Sequence, residues 1–191
     1  MRIICFIATL ILLGSFVGAQ EVIVTDEAGP QPIPLVFEES RSEEPTEALE
    51  TIQLFDIPLE DDLQTYIFEQ AEERGVDPAI VIAIIKRESN FDILAVGDEG
   101  NSLGLMQIQP RWSVDRRKEL ECDNLLHPYQ NIKVGIDILA DLMEEEETLE
   151  WVLMAYNGGN AYADRLTKEG RVSEYAKKVI EMSEELIFKE G

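Results

Sequence analysis

The chain has 191 residues, 45% of them apolar, which is enough for one domain with a sizeable core. Its formal net charge of −23 excludes binding to nucleic acid or anionic lipid by charge attraction. Acidity by itself says nothing further about function, because it also serves solubility.

Met1 and Arg2 precede the apolar run IICFIATLILLGSFVGA, which ends on the small residues Val17, Gly18 and Ala19. A short basic start, an apolar stretch and a small-residue end are the marks of a secretory signal over 1–19, with cleavage expected after Ala19. The rival is an uncleaved membrane anchor, since the run is nearly long enough to span a bilayer. Either reading puts the remainder outside the cytoplasm, exported to the cell envelope or beyond. Cys5 lies inside the run and not at its end, which argues against a lipoprotein.

Cleavage removes Arg2, the one charged residue of 1–19, and takes the charge from −23 to −24. It also leaves Cys122 as the single cysteine, so no internal disulfide is expected and the fold must rest on its core. Cys122 then reads as a small buried hydrophobe.

From Gln20 to Ile57 there are ten carboxylates against Arg41 alone, with Pro30, Pro32, Pro34 and Pro45 interrupting regular structure. Proline stiffness and self-repulsion make 20–57 an extended linker. It gives reach from an attachment point and is the stretch that an envelope assembly partner would meet. The patches at 22–24 and 35–37 are candidate docking segments within it.

Order is expected from about Pro58, giving a domain over 58–191. Leu59, Leu63, Tyr66, Ile67 and Ala71 form one face of an amphipathic helix that Gly75 ends. Asp77 and Pro78 read as N-cap and first position of a second helix, whose run Ala79 to Ile85 is apolar on every side and therefore buried. Glu88 continues the stripe of Val81, Ile84 and Ile85, so its carboxyl leaves the core side of the last turn. Low dielectric and the negative end of the helix dipole both disfavour its charge, which suits a general acid. The plain alternative is a solvated glutamate at a frayed helix end beside Lys86 and Arg87.

Residues 90–104 hold Asn90, Asp92, Gly97, Asp98, Gly100, Asn101 and Gly104, too many turn formers for a regular element. Leu103 to Ile108 is a short apolar turn or helix that Pro110 and Trp112 close. Asn131 is expected to open a surface helix with Ile132, Ile136, Leu139, Ala140 and Met143 buried and Glu144 to Glu147 solvated. A further helix runs through Leu149, Val152, Leu153 and Tyr156 to Gly158 and Gly159, and a short one covers 160–168. Ser173 caps the last helix, which is expected to bury Tyr175, Val179, Met182 and Leu186. Sustained alternation of β-branched residues is absent, so the fold class is mainly α with little or no sheet. His127 is the single histidine, too little for a metal site, and no cofactor motif is present. Trp112 and Trp151 read as core residues before sugar platforms.

Three stretches bear on Glu88: Glu88-Ser89-Asn90-Phe91-Asp92, Gly104-Leu105-Met106-Gln107-Ile108 and Ala155-Tyr156-Asn157-Gly158-Gly159. Each is weak alone. In this order and spacing, with Asn131-Ile132 and Ser173-Glu174-Tyr175, they resemble the lytic transglycosylase domain related to goose-type lysozyme, from about Ile57 to Met182. The resemblance implies a lysozyme-like helical domain acting on peptidoglycan glycan strands. The glutamate at the place of Glu88 protonates the β-1,4 bond between N-acetylmuramic acid and N-acetylglucosamine, then takes the proton of the sugar's own 6-hydroxyl to leave a 1,6-anhydro end.

It also implies substrate-binding roles for Ser102, which would donate to the sugar, and for Met106 and Gln107, which would line the cleft. Tyr156 and Asn157 would face the acid, and Tyr175 would hydrogen-bond it, although Tyr156 and Tyr175 also continue core stripes. A second carboxylate is not needed by substrate-assisted enzymes. Asp92, Asp98 and Glu99 are nearest in sequence and read as loop or turn residues; one that held a water would make the enzyme a hydrolysing muramidase. A non-catalytic glycan-binding module is the third alternative. The family often has Gly-Ala where Asn101 and Ser102 stand here, and Asn tolerates the left-handed backbone that such a turn needs.

Overall fold

The computed structural model describes residues 52–145, 148–186 and 188. The expected signal 1–19, all but the end of the 20–57 linker, and Glu146 and Glu147 lie outside them. Seven helices and one two-stranded hairpin make up the described residues, in the order α1 (Asp61–Glu73), α2 (Pro78–Ser89), β1 (Val96–Gly97), β2 (Ser102–Leu103), α3 (Val114–Glu119), α4 (Pro128–Glu145), α5 (Leu149–Gly158), α6 (Asn160–Lys168) and α7 (Glu174–Glu184). The domain is mainly α, as its patterning predicts.

Ordered packing reaches back before Pro58. Phe55 is buried, stacks on Phe68 and Phe188, and bridges to Phe188 in antiparallel fashion. Gln64, fully buried on α1, fixes this approach: its Oε1 accepts from the Phe55 N–H at 3.0 Å and its Nε2 donates to the Leu59 carbonyl at 3.0 Å. Both polar ends of a buried amide are thereby satisfied.

Helix α2 is the centre of the molecule. Asp77 caps it by accepting from the Ala79 N–H at 2.8 Å, Pro78 starts it, and every residue from Ile80 to Ile85 is buried. It packs against α1 and α7, while α5 joins α4, α6 and α7. The helix ends where Asn90 turns left-handed at φ 49° and returns its N–H to the Lys86 carbonyl.

Four details differ from expectation. Helix α4 begins at Pro128, so Asn131 lies inside it, fully buried, and is not its cap. Helix α3 was not visible in the pattern; its polar turn is tied to α4 by Arg116, which pairs with Asp137 and, at 2.7 Å, with Asp141. Helix α7 has the expected cap, Ser173 accepting from the Ala176 N–H at 3.1 Å, but stops at Glu184, and Met182 and Leu186 are only partly buried. Cys122 is buried and unpaired. Trp151 is core, with its Nε1 donating to Asp164 at 3.0 Å, whereas Trp112 is 74% exposed, with Arg111 over its ring, and the expectation of burial fails there.

Candidate active site

Glu88 leaves the last turn of α2 half-buried between α7 and the loop that follows it. Its Oε1 accepts a 2.6 Å hydrogen bond from the Tyr175 hydroxyl. Burial raises the carboxyl above its ordinary range, opposed by the Tyr175 hydrogen bond and the Arg87 charge and assisted by Asp98. The net direction is upward, so the group keeps its proton at a pH where an exposed glutamate has lost it. Burial, and then the Glu88 charge, push the hydroxyl of Tyr175 far up, so it stays a donor at any working pH. Arg87 lies over the Tyr175 ring, 5.7 Å from its centroid.

Tyr156 comes from the end of α5. Burial, and then the Glu88 charge, push its phenol well up as well, which places it in the field of the acid. Its hydroxyl donates to the Met106 carbonyl at 2.9 Å and not to Glu88. One phenol, Tyr175, thus holds the acid, and a second, Tyr156, feels its charge.

The loop opposite is braced from within. Asp98, Glu99 and Gly100 adopt positive φ of 48°, 55° and 97°, while Asn101 at φ −90° does not supply the left-handed turn expected of it. Ser102 is buried on β2 and donates to Asp98 Oδ2 at 2.8 Å, so its hydroxyl is committed to the hairpin and not free for a sugar. Gln107 Nε2 donates to the Ala95 and Gly104 carbonyls at 3.2 and 2.9 Å, tying the loop to the segment ahead of β1. The Met106 side chain is fully buried against Gly135 of α4, where an added Cβ would meet its sulfur at 2.2 Å. Met106 therefore supports the site from below, which corrects its expected place on the cleft wall. Asn157 is exposed at the end of α5.

Two residues gain weight that sequence reasoning did not give them. Asp98 is a turn residue, as expected, yet its charge reaches Glu88. Asn131 fills its amide on this loop, accepting from the Met106 N–H at 2.8 Å and donating to the Leu103 and Leu125 carbonyls at 2.8 and 2.9 Å. Its signal in the sequence was an Asn that fits poorly on the stripe of Ile132, Ile136 and Leu139.

The arrangement is that of a half-buried carboxyl with raised pKa and phenolic support, at a helix end beside a braced loop. A solved structure of an inactive mutant of the lytic transglycosylase Slt from Pseudomonas aeruginosa shares the fold, with a TM-score of 0.55 and 20% identity over 63% of this chain. The matched part is 23% of that protein's length. Residues 65–179, which carry Glu88, the hairpin, Met106, Tyr156 and Tyr175, match the model of the transglycosylase SLT domain, and the chain belongs to that family.

Proposed function

We propose that this protein is an exported peptidoglycan lytic transglycosylase with Glu88 as its acid and then its base. The carboxyl proton passes to the bridging oxygen between N-acetylmuramic acid and N-acetylglucosamine as the glycosidic bond breaks. The resulting carboxylate takes the proton of the muramic acid's 6-hydroxyl, whose oxygen bonds to the anomeric carbon and closes the 1,6-anhydro ring. The proton lost in the first step is regained in the second, and no water is consumed. The observation that carries this reading is the half-buried carboxyl at the end of α2, held at one oxygen by Tyr175, with burial pushing its pKa up.

Tyr175 stabilises the charged stage between the two steps, when a hydrogen bond to carboxylate is at its strongest. Tyr156 and the braced loop set the walls around that carboxyl. Asn157, exposed at the end of α5, and Gln107, partly exposed in the loop, are the candidates for direct contact with the glycan. Export follows from the reading of residues 1–19, and the acidic stretch after them supplies reach.

Hydrolysis is the second reading, and Asp98 is the observation that favours it. Its carboxylate lies in the field of Glu88 and is oriented by Ser102, as a residue that activates a water would need. The test is release of soluble fragments from purified sacculi by wild type, Glu88→Gln and Asp98→Asn. Loss of release in Glu88→Gln with most of it kept in Asp98→Asn supports the transglycosylase. Loss in both favours the muramidase, and fragments released equally by Glu88→Gln defeat both.

A further inference from the structure

Asn131 of helix α4 is joined by hydrogen bonds, through the backbone of Met106, to Tyr156. Asn131 is fully buried and its amide is fully used: the acceptor takes the Met106 N–H, and the two donor protons go to the Leu103 and Leu125 carbonyls. The carbonyl of the same Met106 takes the Tyr156 proton at 2.9 Å. Tyr156 in turn stands in the field of Glu88.

A phenol has one proton to give. The carboxylate of Glu88 is the stronger acceptor, because a hydrogen bond to an ionised group is roughly twice as strong as one between neutral groups. What keeps the Tyr156 proton elsewhere is a carbonyl fixed in the right place. The loop is built tightly enough to fix it: a Cβ at Gly104 would lie 2.5 Å from Asn131 Nδ2 and 2.5 Å from the Leu125 carbonyl oxygen, and the Met106 side chain is pressed on Gly135.

We infer that Asn131 is a positioning residue for the catalytic carboxyl: by anchoring the Met106 backbone at its N–H it steadies the next peptide, whose carbonyl holds the Tyr156 proton, and leaves Tyr175 as the phenol that donates to Glu88. This rests on Glu88 being the acid. Tyr175 from α7 donates to that carboxyl, the charges of Arg87 on α2 and Asp98 in the hairpin act on it, and its own charge acts on Tyr156 from α5. Tyr175 and Arg87 favour its charged form, while burial and Asp98 favour the neutral one. A second phenol donor would tip the balance toward charge, and the carboxyl would lose its proton to solvent before it could deliver it.

The test is a direct titration of the Glu88 side chain by carbon-13 NMR on the chain, its resonance assigned by absence from Glu88→Gln, beside the pH profile of kcat/KM on sacculi. In folded Asn131→Ser the Glu88 midpoint falls by about one pH unit and the alkaline limb of the rate profile falls with it. Adding Tyr156→Phe to Asn131→Ser returns the midpoint toward wild type. An unmoved midpoint in Asn131→Ser, or a fall that persists in the double variant, overturns the inference. Should Asn131→Ser not fold, Tyr156→Phe alone decides: an unchanged midpoint supports the inference, and a rise of about one pH unit shows that Tyr156 already donates to Glu88 and overturns it. A wild-type chain without activity would instead defeat the role of Glu88, and the titration would still read the hydrogen-bond arrangement.

Discussion

The Tyr175 hydroxyl donates to Glu88 Oε1 across 2.6 Å, joining residues 87 apart in the chain, from the end of α2 to the start of α7. In Tyr175→Phe the ring still fills its buried site and only the donor is lost. The carboxylate form of Glu88 then lacks its one phenolic support, so its pKa moves further up and the alkaline limb of activity moves to higher pH. The rate constant kcat should fall by about ten- to a hundredfold, the range set by one hydrogen bond to a charged group. Steady-state kinetics across pH checks both effects, with circular dichroism as the control for folding.

Glu88 also carries a stability cost whose sign follows from its titration. Its folded pKa lies above the ordinary glutamate value of about 4.3. Below that value the carboxyl is protonated in folded and unfolded chain alike. As pH rises from there the unfolded chain releases the proton first, and stability is lost until the folded pKa is passed. Glu88→Gln has no such loss and keeps an acceptor for Tyr175. It should therefore be inactive yet more thermostable than wild type at neutral pH, with the gap closing as pH falls below the ordinary glutamate range. Calorimetry at the two pH values reads it.

Gly104 sits at φ 73°, with no room for a Cβ beside Asn131 and the Leu125 carbonyl. Gly104→Ala should cost roughly 2–4 kcal/mol, from backbone strain and overpacking together. The readout is a lower urea midpoint at unchanged m-value.

The two tryptophans should separate sharply. Trp151→Ala empties a core site and leaves Asp164 without its indole donor, so a loss of roughly 3–5 kcal/mol is expected. Trp112→Ala removes a ring that is mostly in solvent, so the change should stay within about 0.5 kcal/mol. Urea unfolding of both variants under one condition makes the comparison.

The parts legible in the sequence were those that local pattern determines. Helix α2 is apolar on every side, so its burial needed no knowledge of its neighbours, and Glu88 at the end of that stripe followed from helical spacing. The caps Asp77 and Ser173 act within three residues and were read correctly. Helix α3 was not legible because its six residues, five of them polar, are held by Arg116 reaching Asp137 and Asp141, 21 and 25 residues away. Asn131 was read as the residue that opens its helix, which Pro128 in fact starts, and its amide serves a distant loop. Ser102, Met106 and Gln107 have side chains suited to a sugar site, but residue type does not reveal which partner takes the hydrogen bond. Here Asp98 took the Ser102 proton, the Ala95 and Gly104 carbonyls took those of the Gln107 amide, and the core took Met106.

The most direct measurement is mass spectrometry of the fragments released from sacculi. If Glu88 serves as both acid and base, the muramic acid ends are one water lighter than reducing ends and no isotope enters from labelled water. Hydrated ends carrying oxygen-18 from the solvent would contradict that account.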